Sequence, residues 1–394
     1  MMHAYHAHAI ASTSQSQASD IGGGLKQFRT LMDARIAGRP FLVNEYASVY
    51  WNRYRYEEPF AVSACAAFQG FDMLLRHGSP IHVVDAERMF PWVMFHDPVT
   101  KASLVQTALL YGRGDVQEGK RGVRLTFSEK AVSENRIWNE ALNSMQSRLA
   151  LIVRSGLEQT DPGPALRPPA PADDLRIPLA GGASVVENTE GFASSRESGA
   201  GTFSLAGQIA RLRKAGVISR TNRSDGAYVF ENSTGELYID TDRNYMTVNT
   251  PRYQGVCGEE KAKAGLRDVS VELLKTRGIV SVASLQKEKG IAGADRLLLV
   301  YATNALGNKM TFDDESMRRV RYYGENPTMI ETGRFRVELR NVNAEKLKLY
   351  PLMMNGKRCA PVKPVSVKNG TFLAEIDTAA LPEGPALFFE LATK

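Results

Sequence analysis

The sequence predicts an α/β region followed by an all-β region within one chain of 394 residues. In the first third, short apolar runs alternate with segments of helical periodicity, as in parallel sheets with crossover helices. In the last half, strand-like segments follow one another across turns such as NSTG, KNG and PEGP, a pattern typical of antiparallel sandwiches. The proline-rich segment DPGPALRPPAPADD separates the two. We therefore predict an α/β region at 1–118, a connecting region at 119–178 and one or two β-sandwiches at 179–394.

The first unit of the α/β region is a strand, a loop and a helix. Residues 3–10 have the composition of a strand, and the polar run ASTSQSQASD with the glycines after it predicts a loop. Apolar side chains at helical spacing then predict a helix over residues 25–38 that ends on Gly38. Pro40 precedes FLVNEY, which predicts a short apolar strand.

The same unit recurs in the next seventy residues. EEPFAVSACAAFQG begins with Glu-Glu-Pro, which a first helical turn favours, and FDMLLRH predicts the following strand. Residues 97–110, DPVTKASLVQTALL, again predict a helix. Because strands that alternate with helices are joined by right-handed crossovers, we expect these strands to form a parallel sheet.

Two later segments bear on organisation and binding. In the connecting region, VRLTF predicts a strand and ENRIWNEALNSMQSRLALIV predicts one helix. In the sandwich region, DTDRNYMTVNTPRYQG combines two Asp, two Asn, two Arg and two Tyr. Such a set suits either the binding of a sugar or a strand at a domain interface whose polar groups are satisfied.

Composition excludes several classes of function. The formal net charge is +6, but 49 basic residues are interleaved with 43 acidic ones, which favours a solvated mixed-charge surface over a nucleic-acid footprint. No apolar window is long enough for a membrane span, and residues 1–15 lack the pattern of a signal peptide. The widely separated Cys65, Cys257 and Cys359 predict neither a disulfide framework nor a zinc site. We expect no nucleic-acid partner and no membrane association.

The amino-terminal histidines raise the question of a metal site. His3, His6 and His8 lie close together in MHAYHAH, but no nearby Asp or Cys completes a coordination set. The glycines at 22–24 lack the flanking pattern of a phosphate loop. We therefore predict no metal and no cofactor.

Glu45 is the strongest candidate for a functional side chain. It lies at the carboxyl end of the predicted strand FLVNEY, and the carboxyl ends of parallel strands are where functional residues gather. The loop YWNRYRYE that follows supplies flat aromatic faces, and a carboxylate beside such faces suits the oxocarbenium-like centre of a sugar. Two alternatives stay open: Glu45 caps a helix or pairs with Arg53 or Arg55, and the loop aromatics serve only in packing.

These motifs resemble a known family. The order of strand, VNEY, YWNRYRYE, helix and AAFQGFDML is similar to the seventh and eighth strands of the clan A glycoside hydrolases, which include cellulase-like and β-galactosidase-like retaining enzymes. DPVTKASLVQTALLYGRGDVQ resembles the last helix and exit of such a barrel, and TGELYIDTDRNYMTVNTPRYQGVCG resembles its appended sandwich. The resemblance implies that residues 1–118 are the carboxyl-terminal portion of a partial (β/α)8 barrel of the TIM type.

The resemblance also implies roles for individual residues. Glu45 would be the catalytic nucleophile, and a carbohydrate would be the ligand. The residues that would bind substrate or support the site are His3 and Tyr5 on the sixth strand, Trp51, Asn52 and Arg53 along the subsites, and Gln69 and Asp72 beside the eighth strand.

One departure from the family pattern concerns the second carboxylate. A retaining glycosidase needs an acid/base about 5 to 5.5 Å from its nucleophile, and clan A takes it from the fourth strand, whereas this chain starts at the sixth. Asn139-Glu140 lies in a predicted helix, out of order for that role. We therefore expect the acid/base to be absent from this chain, with a partner chain as one source of the missing barrel strands. A non-catalytic carbohydrate-binding or structural sandwich protein is the alternative, and a polysaccharide substrate favours an exported parent protein.

Overall fold

The protein contains a small parallel sheet, a second small parallel sheet and a large antiparallel sandwich. The computed structural model describes residues 2–9, 13–32, 34–78, 88–93, 96–130, 145–160, 174–178, 185–187, 193–195 and 204–394. No helix among these residues is long and apolar enough to cross a membrane.

The first parallel sheet comes from the units that the sequence predicts as strand and helix. Its strands, in spatial order, are β1 (Met2–His6), β2 (Leu42–Ser48) and β3 (Met73–Arg76). Its helices are α1 (Lys26–Met32), α2 (Cys65–Gln69), which continues a π-helical turn at Pro59–Ala64, and α3 (Pro98–Thr107).

The helix ends follow ordinary capping chemistry, with one difference from the sequence prediction. Asp97 caps α3, since its carboxylate accepts the Val99 N–H at 3.1 Å. Gly70 ends α2 at a φ of 66°, which the absence of a Cβ permits. Helix α1 ends at Met32 rather than at 38, because Ile36 instead forms a parallel bridge with Leu157.

The second parallel sheet belongs to the connecting region. It consists of β4 (Gly122–Phe127), β5 (Arg154–Gln159) and β6 (Leu175–Pro178) in the order β5-β4-β6. Most of the long helix predicted there, residues 131–144 with Asn139 and Glu140, lies outside the described residues. The part that is described, Met145–Leu151, is a 3-10 helix that leads into β5. The proline-rich residues 161–173 also lie outside them.

The sandwich follows helix α4 (Leu205–Lys214), after a short hairpin of β7 (Val185–Glu187) and β8 (Ala193–Ser195). Its strands in chain order are β9 (Val229–Glu231), β10 (Leu237–Asp240), β11 (Tyr245–Asn249), β12 (Tyr253–Gly258), β13 (Lys263–Gly265), β14 (Val269–Lys275), β15 (Gly278–Ser284), β16 (Arg296–Ala302), β17 (Ala305–Asn308), β18 (Thr311–Phe312), β19 (Val320–Tyr322), β20 (Glu325–Ile330), β21 (Arg334–Arg340), β22 (Lys348–Leu352), β23 (Ser366–Lys368), β24 (Thr371–Asp377) and β25 (Phe388–Ala392).

These strands form two packed sheets and an arm. The eight-stranded antiparallel sheet has the order β22-β25-β16-β15-β12-β11-β10-β9, and the five-stranded sheet has the order β13-β14-β21-β24-β23. Residues 305–330 leave the sandwich as two antiparallel ribbons, β17 with β20 and β18 with β19. We refer to residues 305–330 as the arm.

The central strands of the eight-stranded sheet, β12, β15 and β16, are buried on both faces. Along β16, Leu297 and Leu299 belong to the core shared with the five-stranded sheet, whereas Leu298 and Val300 belong to the core shared with the parallel region. This alternation makes the sheet the middle layer of the molecule. Each Å² of apolar surface that it buries on either side stabilises the fold by about 25 cal/mol.

The predicted partial (β/α)8 barrel is wrong. Strands make up 38% of the chain against 20% helix, and the largest sheet is antiparallel, which is incompatible with a portion of a TIM-type barrel. The mostly-β content is compatible with the sandwich part of the prediction. The parallel sheet is covered by the eight-stranded sheet instead of by further strand-helix units: Tyr253 of β12 packs its ring on Phe60 and donates its hydroxyl to Gln106 of α3 at 2.7 Å. The division at 118 and 178 stays a prediction.

Candidate functional site

Glu45 lies on the central strand of the first parallel sheet, at a β-bulge. Against β1, Met2 is paired with Val43 and the next residue, His3, is paired with Glu45. Against β3, the pairing likewise gains one residue on β2 between Val43 and Tyr46. Strand β2 continues to Ser48, two residues beyond the last residue of the predicted strand FLVNEY. Bulges change the direction of side chains and are frequent beside active sites. Glu45 therefore lies at an irregular point of β2.

Tyr5 holds the Glu45 carboxylate. The Tyr5 hydroxyl donates a hydrogen bond to Glu45 Oε2, and this bond, with smaller contributions from His77 and His3, lowers the pKa of Glu45 below its ordinary value. Burial, together with the hydrogen bond and the charge of Glu45, raises the pKa of Tyr5 to about 12. The Glu45 side chain is 36% exposed. An ionised carboxylate that faces solvent is therefore available to a ligand at neutral pH.

Aromatic and imidazole rings surround this carboxylate. We refer to His3, Tyr5, His8, His77 and Trp92 as the ring cluster. The Tyr5 centroid lies 5.1 Å from Trp92, 5.3 Å from His8, 5.7 Å from His77 and 6.1 Å from His3. Trp92 also lies 5.0 Å from His77 and 5.3 Å from His8, and His77 Nδ1 is 3.7 Å from Glu45 Oε2. The cluster therefore offers flat apolar ring faces and ring nitrogens next to one carboxylate.

Trp51 and Asn52, predicted to line the subsites, are buried anchors. Trp51 is fully buried, its Nε1 donates to the Met317 carbonyl of the arm at 2.8 Å, and its ring packs edge-on against Tyr323. Asn52 is also fully buried, and its amide donates to the carbonyls of Ser16 at 2.9 Å and Ala18 at 3.0 Å. Both side chains hold the loop in place. Their burial does not fit the predicted role of lining substrate subsites.

Arg53 and Asp72 also lie in structural contacts. Arg53 donates to the arm carbonyl of Ser316 at 3.1 Å. Asp72 precedes β3, at the amino end of the sheet, where its carboxylate accepts the Phe41 N–H at 2.8 Å. Gln69, predicted to support the same region, is buried and donates to Ala150 at 2.7 Å. Of the predicted site residues, the structure brings together only Glu45, Tyr5 and His3.

The alternative partners considered for Glu45 are engaged elsewhere. Arg55 forms a bidentate pair with Asp97 at 2.8 and 2.9 Å, and both side chains are about 1% exposed. It also donates to the Ala305 carbonyl of the arm at 2.7 Å. Salt bridging of Glu45 to Arg53 or Arg55 is therefore not observed, and the arginines of the loop instead connect the parallel region to the sandwich.

The arm packs against the residues that support the site. A small core contains Ala47, Trp51 and Met89 together with Val320 of the arm, and Tyr5 and Trp92 pack on its edge. The arm also pairs with the segment after β1, where Val320 N–H donates to the Thr13 carbonyl at 3.0 Å. The ring cluster therefore rests on a core to which the sandwich contributes.

Sequence reasoning missed His77, His8 and Trp92 as members of the site. His77 follows β3 at its carboxyl end, so the same strand-end argument that selected Glu45 applies to it. His8 was considered only as a metal ligand, and Trp92 lies in a segment with no periodic pattern. The polar strand segment at 240–255 proves to be an interface: Tyr253 bonds Gln106, and Arg252 pairs with the buried Asp115 at 2.7 Å.

Across the described ranges, no group of three or more His, Cys, Asp or Glu side chains is arranged to hold a metal ion. Cys65, Cys257 and Cys359 are free thiols.

Comparison with protein-family models, with curated proteins and with solved structures gives no match to this chain.

Proposed function

We propose that Glu45 is the catalytic nucleophile of a retaining β-glycosidase. The acid/base of this enzyme comes from outside the described residues. The observation that carries the proposal is the Tyr5 hydroxyl bonded to Glu45 Oε2 at a β-bulge, within the ring cluster. A carboxylate kept ionised by a donor, beside exposed ring faces, suits attack on a sugar that is bound by its C–H surface.

The chemistry proceeds in two displacements. A Glu45 oxygen forms a bond to the anomeric carbon while the glycosidic bond breaks, and the leaving oxygen takes a proton from a general acid. Water then attacks the same carbon, gives its proton to that residue acting as a base, and releases the carboxylate. Tyr5 keeps Glu45 ionised in the resting state, because its hydroxyl donates to the charged form.

A second candidate function is glycan binding without turnover. Within the described part of the chain, the hydrogen-bond and ion-pair partners of Glu45 are Tyr5 and His77, and neither carries a carboxyl group. An acid/base at the required distance of about 5 to 5.5 Å would have to come from other residues of this chain or from a partner chain. Without one, the ring cluster would bind a sugar and leave the glycosidic bond intact.

The test uses 2-deoxy-2-fluoro glycosyl fluorides and the matching dinitrophenyl glycosides. Their leaving groups depart without a proton, so a nucleophile forms a covalent adduct even where the general acid is missing. We expect the intact mass of the protein to rise by one fluoroglycosyl group, and Glu45→Gln to abolish the rise. The matched control is Glu338→Gln, an exposed acid on the far face of the five-stranded sheet.

The outcomes separate the two candidates. Labelling that Glu45→Gln abolishes and Glu338→Gln leaves unchanged supports the nucleophile. Reversible binding of methyl β-glycosides without labelling supports the second candidate. If the protein neither reacts with nor binds any β-glycoside, both candidate functions are wrong.

A further inference from the structure

We propose that the ring cluster selects an amino sugar, a glycan unit that carries an ammonium group on the carbon next to its anomeric carbon. This inference deepens the proposed function and rests on it. Its basis is a comparison within the molecule. Elsewhere the fold combines a carboxylate and an aromatic ring with an arginine, and no described arginine or lysine takes that place at Glu45.

Three sets of described side chains show the complete arrangement. In each set a guanidinium lies 4.1 to 5.2 Å from the centroid of a tyrosine ring and forms a salt bridge of 2.6 to 2.8 Å with a carboxylate. The sets are Arg55 with Tyr50 and Asp97, Arg223 with Tyr238 and Glu231, and Arg358 with Tyr350 and Glu390. A cation suits both partners, because it pairs with the carboxylate and is attracted to the ring face.

The ring cluster has the ring and the carboxylate of this arrangement. Glu45 is 36% exposed, and its partners among the described residues are the Tyr5 hydroxyl and, at 3.7 Å, His77 Nδ1. The hydrogen bond from Tyr5 lowers the pKa of Glu45, which is therefore ionised at neutral pH. His77 carries a charge only in its protonated form. The negative charge of Glu45 therefore has no permanent counterpart within the described part of the protein.

The rings next to Glu45 lie in different planes. The Tyr5 and Trp92 centroids are 5.1 Å apart, and their planes make an angle of 72°. The His77 ring stands at 71° to both, 5.7 Å from Tyr5 and 5.0 Å from Trp92. Tyr5 and Trp92 are only partly buried, and Tyr5 also bonds Glu45, so the exposed parts of these rings adjoin the carboxylate. A cation beside Glu45 would gain from the ring faces as well as from the negative charge.

The proposed reaction determines where the ligand carries its cation. Glu45 attacks the anomeric carbon, so a substituent on the neighbouring carbon, C2, lies close to the same carboxylate. Tyr5 bonds Oε2, and Oε1 accepts no hydrogen bond from any described residue. An ammonium on C2 would donate to the carboxylate and also balance its charge. A hydroxyl or an acetamido group on C2 would donate without balancing the charge.

The experiment compares matched methyl β-D-glycosides by calorimetry or ligand-detected NMR. Methyl β-D-glucoside, methyl 2-amino-2-deoxy-β-D-glucoside and methyl 2-acetamido-2-deoxy-β-D-glucoside differ only in the group on C2, which is a hydroxyl, an ammonium or a neutral amide. We expect the amino probe to bind about threefold to tenfold more tightly than either neutral probe, the size of one exposed ion pair with one cation–π contact. The preference should fall as salt rises, because Glu45 is exposed.

A fourth probe separates the ammonium from the sugar. 2-Methoxyethylammonium has the charged group and the two carbons next to it but no sugar ring. We expect it to bind more weakly than the amino probe, because the ring cluster also contacts the C–H surface of the sugar.

Variants assign the preference to Glu45 and the rings. Glu45→Gln keeps the size of the side chain and removes its charge, so the affinity of the amino probe relative to the neutral probe should fall to about one. Trp92→Leu removes one ring and should lower this ratio by about twofold to fivefold. Glu338→Gln, which removes an exposed acid on β21, is the matched control and should leave the ratio unchanged.

Each result has a defined meaning. Equal binding of amino and neutral probes overturns the amino-sugar preference, while fluoroglycosyl labelling of Glu45 would still support the proposed function. A ratio that Glu338→Gln lowers as much as Glu45→Gln overturns the assignment to the ring cluster. Binding of 2-methoxyethylammonium as tight as that of the amino probe overturns the choice of a sugar as the ligand. Failure of all the glycosides to bind, together with failure of the fluoroglycosyl label, overturns the proposed function itself.

Discussion

The Glu45 site and the loop directly after it use similar residues in opposite ways. The site combines an acid with aromatic rings that are partly exposed, and it has few partners within the protein. The loop at 50–58 also combines aromatic and charged side chains, but nearly all of them are buried and paired. A mixture of aromatic and charged residues in a sequence therefore does not distinguish an exposed cluster of side chains from a buried interface.

The contacts of the loop explain its burial. Tyr50 accepts a hydrogen bond from Gly307 of the arm at 3.1 Å, Trp51 donates to Met317, and Arg55 pairs with Asp97. These contacts fix the parallel region against the sandwich. Aromatic rings and guanidinium groups suit this role because each combines a large packing surface with directional donors.

The largest expected effect is the loss of the buried ion pair. Arg55→Met leaves the Asp97 carboxylate buried without its partner and also removes the bond to the arm, so unfolding should become easier by about 3–5 kcal/mol. Chemical denaturation of the variant measures this loss. Arg223→Met breaks a pair whose arginine is 56% exposed and should cost less than about 1 kcal/mol. Similar losses for the two variants would contradict the anchor role of the loop.

Two tryptophans give the next comparison. Trp51→Ala should cost about 3–5 kcal/mol in the free energy of unfolding, because Trp51 is fully buried against the arm. Trp92→Ala should cost distinctly less, since Trp92 is only partly buried, and should instead weaken glycan binding. Thermal unfolding and probe binding measured on both variants test this contrast. It fails if Trp92→Ala is the more destabilising of the two.

A pH effect is expected at Glu57, which binds the loop after β1. Burial raises the pKa of Glu57 to about 8, against opposing hydrogen bonds from Ile21 and Ser19. The folded state therefore holds a proton that the unfolded state releases above its ordinary pKa of 4.5. The stability contributed by this proton is complete below pH 4.5 and is lost as pH rises through about 8, at up to about 1.4 kcal/mol per pH unit.

Glu57→Gln tests this titration directly. The amide can replace the protonated acid, with its carbonyl at the Oε2 position accepting the Asp20 and Ile21 N–H groups and its NH2 at the Oε1 position donating to Ser19 Oγ. The variant should therefore lose less stability than the wild type between pH 5 and 8 in denaturation measured across that range. Parallel pH profiles for the two proteins would show that Glu57 is ionised in the fold.

The smallest expected effect on stability comes from Tyr5→Phe. The Tyr5 hydroxyl is the main cause of the lowered pKa of Glu45, so the variant should raise that pKa. Fluoroglycosyl labelling should then require a higher pH, while the unfolding midpoint stays nearly unchanged. Tyr228→Phe, at an exposed position, is the control and should leave the pH profile unaltered. An unchanged profile in Tyr5→Phe would exclude Tyr5 as the group that keeps Glu45 ionised.

The sequence predicts local structure better than it predicts how layers pack. Periodicity locates strands β1, β2 and β3 and helix α3, and alternation locates the sandwich strands. The barrel prediction fails because parallel strand-helix units look alike in sequence whatever covers them, and the cover here is the sheet that carries Tyr253, far along the chain. The same distance hides the partners of Trp51, since Met317 is 266 residues away.

Within the site, the sequence identifies the strand residues and misses the loop residues. Glu45, Tyr5 and His3 follow from strand position and from the resemblance. His77 directly follows β3, so its position at a strand end could have identified it. The contact of Trp92 with Tyr5 depends on a turn at 90–93 that no pattern in the sequence predicts. Asp72 was misplaced because its pairing with Phe41 lies at the opposite end of the sheet.

The most direct test of the contrast between site and loop follows the tryptophans themselves. Protein labelled with 5-fluorotryptophan gives one fluorine resonance for each of its three tryptophans, and the Trp92→Phe and Trp51→Phe variants assign the relevant two. On titration with the methyl β-glycoside probes, we predict that the Trp92 resonance shifts and that the Trp51 resonance stays in place. A shift of the Trp51 resonance with the Trp92 resonance unchanged would contradict the account, because it would show that the ligand binds at the loop.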